Sequence, residues 1–348
     1  MKNKILLVLG LLGFLGDCVA DPARVTPAGF EGSKQPRIAV GEAGKLFVAF
    51  GKGNGVYMAS SEDAGQTFAP PQKIGELPKL ALGMRRGPRI AASRNTVTVT
   101  AISHQDGNLY SWTSDSAART WGKPQAINSV ANSAREGMQG LAGNGKSDLF
   151  AVWLDLRNKK TELWGARSSD GGRSWGPNIR VYKSPDETIC ECCHPSVTFS
   201  PNGEIIVMWR NWLNGNRDLY RSISADGGAS FSEAAKLGTG SWPLKGCPMD
   251  GGGLASAPSG AAFVWRREQQ LFCTEDPSAE TLLSQKGTQP VVVATAHGFE
   301  YGWQDGGKVY WKSAPEKEPG VLAETGGYLD AVWSASQGSD FWIELPTA

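Results

Sequence analysis

The sequence predicts an all-β chain of repeated four-stranded antiparallel sheets, a β-propeller, and three observations carry that expectation. One short pattern recurs four times: "SSEDAGQTF" ending at Phe68, "TSDSAARTW" ending at Trp121, "SSDGGRSW" ending at Trp175 and "SADGGASF" ending at Phe231. The aspartates of these copies, Asp63, Asp115, Asp170 and Asp226, are spaced by 52, 55 and 56 residues, a period that signals repeated sheet modules. The chain is rich in glycine and tryptophan, with 44 and 13 of them, and helical periodicity is nearly absent.

At the N-terminus, Lys2 and Lys4 precede an apolar run from Ile5 to Gly16, and Cys18-Val19-Ala20 offers a small-residue cleavage site. Residues 1–20 therefore read as an export signal and residues 21–348 as one propeller domain. The apolar run is too short to span a bilayer, and no later segment approaches spanning length. Asp17 fits poorly the small residue that precedes a lipid-modified cysteine, which favours cleavage after Ala20 over anchoring at Cys18. The expected destination is the periplasm or the extracellular space. Cleavage leaves basic and acidic residues equal in number, and that neutrality points to no nucleic-acid or anionic-membrane partner.

Each repeat then follows one order. A short β-branched run such as "PRIAV" or "HPSVTF" leads through a Gly turn to a second run ending in an aromatic, as in "LFVAF", "LFAVW" and "IIVMW". A third run precedes the aspartate motif, so the runs read as successive antiparallel strands of one blade. Units without the motif continue through "GAAFVWRRE", "GFEYGWQDGGKVYW" and "YLDAVWSASQGSDFWIEL", which gives six or seven blades. The segment "ARVTPAGF", residues 23–30, is expected to supply an outer strand to the last blade and close the ring.

On these motifs the chain resembles the sialidase superfamily, whose Asp-box, S-x-D-x-G-x-T-W, is matched most fully at Ser168 to Trp175. The resemblance covers most of residues 36–320. It implies that the four box aspartates are structural and lie on the face opposite the active site. Local chemistry agrees: a short carboxylate accepts N–H bonds across a tight turn, glycines supply positive φ, and the aromatic packs beneath. The resemblance further implies an arginine cluster for a substrate carboxylate, an aspartate acid/base, and a tyrosine nucleophile helped by a glutamate. Arg37 in "PRIAV" matches the first arginine, although "PRIAA" repeats the pattern at Arg89 and leaves a repeat-consensus role open. The loop that carries the family's aspartate is here "GKGNG", residues 51–55, without a carboxylate. Asp155, in Asp155-Leu156-Arg157 two blades later, is the substitute candidate, with an ion pair or loop cap as the alternative. Tyr301 and Tyr328 are the tyrosine candidates, but Glu300 beside Tyr301 faces the other side of a strand.

Aligning the units puts "GMRRGP" (83–88), "AREGMQ" (134–139), "CECCHP" (190–195) and "LKGCPMD" (244–250) at corresponding blade-to-blade connections. The loops after the second strands share that rim. Arg85, Arg86, Arg135, Glu136, Arg157, Arg210 and Arg266 are thereby expected around a basic mouth suited to a carboxylate, a sulfate or an acidic glycan. Trp212, in "RNWLNGNRD", is a sugar-platform candidate. The same connections gather Cys190, Cys192, Cys193, His194, Cys247 and Met249, a donor set that favours copper as Cu(I), with zinc competing for the Cys and His subset. Disulfides, the default in an oxidising compartment, and a reactive thiol are the other two readings. Once Cys18 is removed five cysteines remain, so at least one stays unpaired within the chain.

Three functions fit these observations. The first is binding of a small anionic ligand or acidic glycan at the basic, cysteine-rich rim, with a soft metal ion, copper or zinc. The second is an exo-acting glycoside hydrolase of sialidase type, and the third a non-catalytic extracellular interaction scaffold.

Overall fold

The computed structural model describes residues 7–11 and 23–345. These residues form seven four-stranded antiparallel sheets. Six are contiguous in sequence, spanning residues 34–76, 89–126, 139–182, 196–236, 253–284 and 288–323, and are numbered blades 1 to 6. Blade 7 joins Gly327–Ser334 and Ser339–Leu345 to two N-terminal strands. Leu7–Leu11 pairs with Ser339–Leu345, and Ala23–Arg24 pairs with Leu7–Leu11. Of residues 23–30, then, Ala23 and Arg24 are strand, and they reach the C-terminal strand through Leu7–Leu11 rather than directly. The rest of the expected export segment, residues 1–6 and 12–20, lies outside the described residues.

The first strand of each blade packs against the first strand of the next, and Gly327–Ser334 of blade 7 packs against Lys34–Val40 of blade 1. The ring therefore closes through its inner strands. Second strands lie between neighbouring blades, and all seven residues of Leu149–Asp155 are buried. The tryptophans that end these strands fill the seams. Trp153, Trp209, Trp265 and Trp303 are all buried, each against residues of the preceding blade.

The Asp-boxes close the hairpins between third and fourth strands. Asp170 Oδ1 accepts the Ser168 hydroxyl at 2.8 Å and the Ser174 N–H at 2.9 Å, while Gly171 and Gly172 take φ of 72° and 89°. Blades 1 and 4 repeat this geometry at Asp63 and Asp226. Blade 2 departs from it. Its copy holds one more residue between aspartate and aromatic, and Asp115 accepts the Ala117 N–H at 3.2 Å instead. Because strands alternate in direction, these hairpins lie on one face, and the blade-to-blade connections lie with the second-to-third hairpins on the other.

Candidate functional site

A channel of about 350 Å³ runs down the middle of the ring, and every inner strand contributes to its wall. Its charged side chains and His194 sit where the blade-to-blade connections enter. Arg37, Arg85, Arg89, His194 and Asp330 are grouped there, and Asp330 is the one carboxylate among the described lining residues.

Local backbone explains the grouping. Gln35, Gln289 and Tyr328 have positive φ at the second residue of the inner strands of blades 1, 6 and 7, and Gly87 has it two residues before that of blade 2. In blades 1, 6 and 7 the pairing register shifts at this point, which turns the residue two positions on toward the channel. Arg37, Arg89 and Asp330 occupy that position in their repeats, and the matching Val291 also lines the wall. Arg85 comes from the connection before blade 2, where Met84 and Arg85 have φ of 51° and 63°.

The arginines are held differently. Arg37 Nη1 lies 2.9 Å from Asp330 Oδ1, and Asp330 Oδ2 accepts the Ile38 N–H at 3.0 Å. Arg85 is buried and donates to the Leu329 carbonyl at 2.8 Å and to the Gln289 carbonyl and side chain. Arg89 donates to the carbonyls of Arg85, Gly87 and Pro88. Burial, then the nearby Arg37 charge, pushes Arg85 down to about 10 and Arg89 well below the usual arginine range. His194 is pushed well below the usual imidazole range for the same reasons, burial first and then Arg85, Arg89 and Arg37. Its Nε2 meets the Gly252 carbonyl at 3.1 Å, while its buried Nδ1 has no hydrogen-bond partner among the described residues.

Immediately before His194 the same connection builds a second feature. The Sγ atoms of Cys190, Cys192 and Cys193 lie within 4.8 Å of one another, with Cys190 at 3.7 Å from Cys192 and 3.5 Å from Cys193. Met249 packs against them, the exposed Cys247 thiol sits beside that of Cys192, and Arg217 Nη1 donates to Cys190 Sγ at 3.0 Å. All five described cysteines are unbridged. Hydrogen bonding with the Cys192 and Cys193 thiols, helped by the Arg210 and Arg217 charges, holds Cys190 far below the thiol range despite burial. Cys193 is pushed up, by burial first, and Cys192 by its hydrogen bond to Cys190. Cys273 stands apart in the core of blades 5 and 6, raised to about 12 by burial.

The remaining sequence candidates are distributed around these two features. Asp155 is buried away from the channel, and its carboxylate accepts from Ser133 Oγ and Trp153 Nε1 at 2.7 Å and from the Arg157 N–H at 2.8 Å. Two Arg157 guanidinium bonds at 2.9 Å complete the set, so Asp155 is a loop cap with no oxygen free to exchange protons with a substrate. Arg157 itself stacks on Trp164, 3.7 Å from the ring centroid. Arg210 is buried, and its guanidinium donates to the carbonyls of Asp250, Arg217 and Arg266, which ties the loop after its own strand and the connection before blade 5 to the second strand of blade 5 rather than facing a ligand. Arg266 donates to the Glu268 carbonyl beside Trp242. Arg86 donates to the Glu136 carbonyl at 2.8 Å, and Arg135 is exposed next to it. Burial, and then Glu191, raises the half-buried Glu136 above the usual carboxylate range. Trp212 is exposed but covered on one side by Arg217, 4.5 Å from its ring centroid. Tyr301 is buried in the core beside Cys273, while Tyr328 is half-buried within electrostatic reach of Arg85. Among the metal candidates His194 turns into the channel, away from the sulfurs.

Sequence reasoning did not nominate Arg89, Asp330, Gln289 or Asp250 for the site. A signal existed for two of them: "GPR" and "YLD" hold Arg89 and Asp330 at the offset of Arg37 in "QPR".

No family model and no curated protein matches the chain. Solved structures do. An α-L-arabinofuranosidase from Fusarium graminearum superposes with a TM-score of 0.55 at 11% identity, covering 99% of this chain and 97% of that one. The leech intramolecular trans-sialidase gives 0.50 at 9% identity, over 78% of this chain and 64% of that one. The fold is sialidase-like. A protein of unknown function from Dyadobacter fermentans, at 0.53 and 14% identity, covers 90% of this Asp-box propeller and 94% of its own chain. Identities this low establish shared architecture and leave the chemistry to the site.

Proposed function

We propose that this propeller binds a small anionic ligand, carrying a carboxylate or sulfate, at the arginine end of its channel. One observation carries the reading: three guanidiniums, those of Arg37, Arg85 and Arg89, gather around a single lining carboxylate, Asp330, while the Asp250 carboxylate, outside the lining, also acts on Arg85, which leaves positive charge in excess. Excess positive charge in a poorly solvated channel is costly unless an anion joins it. Arg85 and Arg89 are anchored by carbonyls and supply charge, whereas Arg37, whose side chain is 14% exposed, is the guanidinium a ligand can reach. His194 Nδ1 adds a neutral polar contact. An acidic sugar belongs to this ligand class, and Arg86, Arg135 and Trp212 extend the rim toward a larger glycan.

Isothermal titration of the protein with N-acetylneuraminate, glucuronate and sulfate tests the reading. The expected result is saturable binding that weakens with salt and disappears in Arg37→Ala. Absence of binding by all three, or unchanged binding in Arg37→Ala, would overturn it.

Glycoside hydrolysis is the second reading, favoured by Glu136, whose raised carboxyl lies beside Arg86 and Arg135 and can serve as a proton donor. Turnover of a fluorogenic sialoside, lost in Glu136→Gln, would support hydrolysis; no turnover leaves ligand binding alone. We also propose export to the periplasm or extracellular space with removal of residues 1–20, which takes Leu7–Leu11 out of blade 7. Peptide sequencing of the secreted protein should then begin at Asp21.

A further inference from the structure

We propose that Cys190, Cys192 and Cys193 form a three-thiolate site for Cu(I). Sulfurs bound to one metal at about 2.3 Å stand roughly 3.8–4.0 Å apart, by the geometry of a tetrahedron or triangle. The observed 3.5 and 3.7 Å separations differ from that by a few tenths of an ångström, so an ion can enter with little movement of a buried loop. The loop is itself anchored, the Cys190 N–H to the Arg210 carbonyl at 3.1 Å and the Ile189 N–H to the Thr161 carbonyl at 3.0 Å.

The donor set selects the ion. Soft thiolates favour Cu(I) and Zn(II), and structural zinc almost always takes four protein ligands. The nitrogen that could complete a zinc site is directed elsewhere, since His194 faces the channel. Cys247 lies beside Cys192 but outside the group whose sulfurs are mutually close. Three sulfurs with the Met249 side chain packed over them suit a low-coordinate, thiophilic ion. Three thiolates on a monovalent cation leave net negative charge, and the Arg217 guanidinium at 3.0 Å from Cys190 Sγ offsets it as a hydrogen-bonding outer-shell partner. Binding releases thiol protons to solvent and changes the oxidation state of neither copper nor sulfur. This site stands independently of any anion in the channel, because Arg37 is not part of it.

The test titrates the reduced full-length protein anaerobically with Cu(I) in competition with bicinchoninate, following the thiolate-to-copper absorption in the ultraviolet. One equivalent should bind. Cys190→Ser and Cys193→Ser should weaken it by at least about 100-fold, at or beyond the upper end of what an outer-shell change costs. Cys273→Ser and Cys247→Ser should leave it unchanged, with thermal melts confirming that each variant folds. Wild-type stoichiometry decides the matter even if the cluster variants fail to fold. The proposal is overturned by the absence of stoichiometric Cu(I), by equal loss in Cys273→Ser, or by preferential Zn(II) uptake that requires Cys247.

Discussion

Arg37 and Asp330, 293 residues apart in the sequence, form an ion pair at 2.9 Å across the seam between the first and last inner strands. The pair does two things at once. It joins the ends of the ring, with Asp330 Oδ2 also accepting the Ile38 N–H, and it is the carboxylate that neutralises part of an otherwise cationic channel.

Asp330→Asn therefore has opposite effects on stability and binding. Removing one partner of a largely buried pair leaves Arg37 uncompensated and should cost about 1–3 kcal/mol of stability, less than a fully buried pair because both side chains keep some exposure. The same change raises the positive potential of the channel, so affinity for a carboxylate or sulfate should increase. Thermal unfolding and titration with sulfate on one preparation check both signs, and a loss of anion binding would count against the channel as the site.

Arg210 tests whether the rim arginines divide into structural and ligand-facing groups. Its guanidinium is buried on three backbone carbonyls, so Arg210→Met should strand those acceptors and lower stability by roughly 2–4 kcal/mol. Among the described residues the exposed Arg135 makes no comparable set of bonds, and Arg135→Met should leave the melting temperature within about a degree, as surface substitutions do. Denaturant unfolding of the two variants separates the classes.

The contrast between Arg210 and Arg37 also shows where the sequence was legible. The ring, the Asp-box hairpins and the convergence of the connections follow from a repeat period and strand alternation, which are local properties. Arg37 was visible through its match to the family's first arginine, and Arg85 and the cysteine cluster through their place in the aligned connections of a neutral, cysteine-poor chain. Whether an arginine faces solvent, a channel or three carbonyls depends on contacts between blades, and no local pattern encodes that. Asp155 shows the same limit: its Asp-x-Arg spacing matched a catalytic loop, while Trp153 and Ser133 make it a cap.

The Asp-boxes should differ in worth. Asp170 accepts the hydroxyls of Ser168 and Ser174 and the Ser174 N–H, whereas the longer blade 2 copy leaves Asp115 with the Ala117 N–H at 3.2 Å. Asp170→Ala should cost about 1.5–3 kcal/mol, in the range of hydrogen bonds to a charged group, and Asp115→Ala clearly less. Equal losses in chemical denaturation would show that the boxes act through something other than these bonds.

Alkaline pH should weaken the seam between blades 6 and 7. Glu300 is pushed up to about 8, by burial first and then by the charge of Asp340, with which it shares a hydrogen bond. Asp340 is raised as well, again by burial, even though it accepts the Trp342 indole. A carboxyl whose folded pKa exceeds its unfolded value of about 4.3 stabilises the native state fully below that value. Its contribution is lost as pH rises through the folded pKa, because the native state must then hold a second negative charge beside Asp340. The melting temperature should therefore fall between about pH 5 and 9 as Glu300 ionises. Glu300→Gln keeps the hydrogen-bonding shape without the proton, so it should flatten that decline and be more stable than the wild type at pH 9. A decline of the same steepness in Glu300→Gln would assign the alkaline loss to another group.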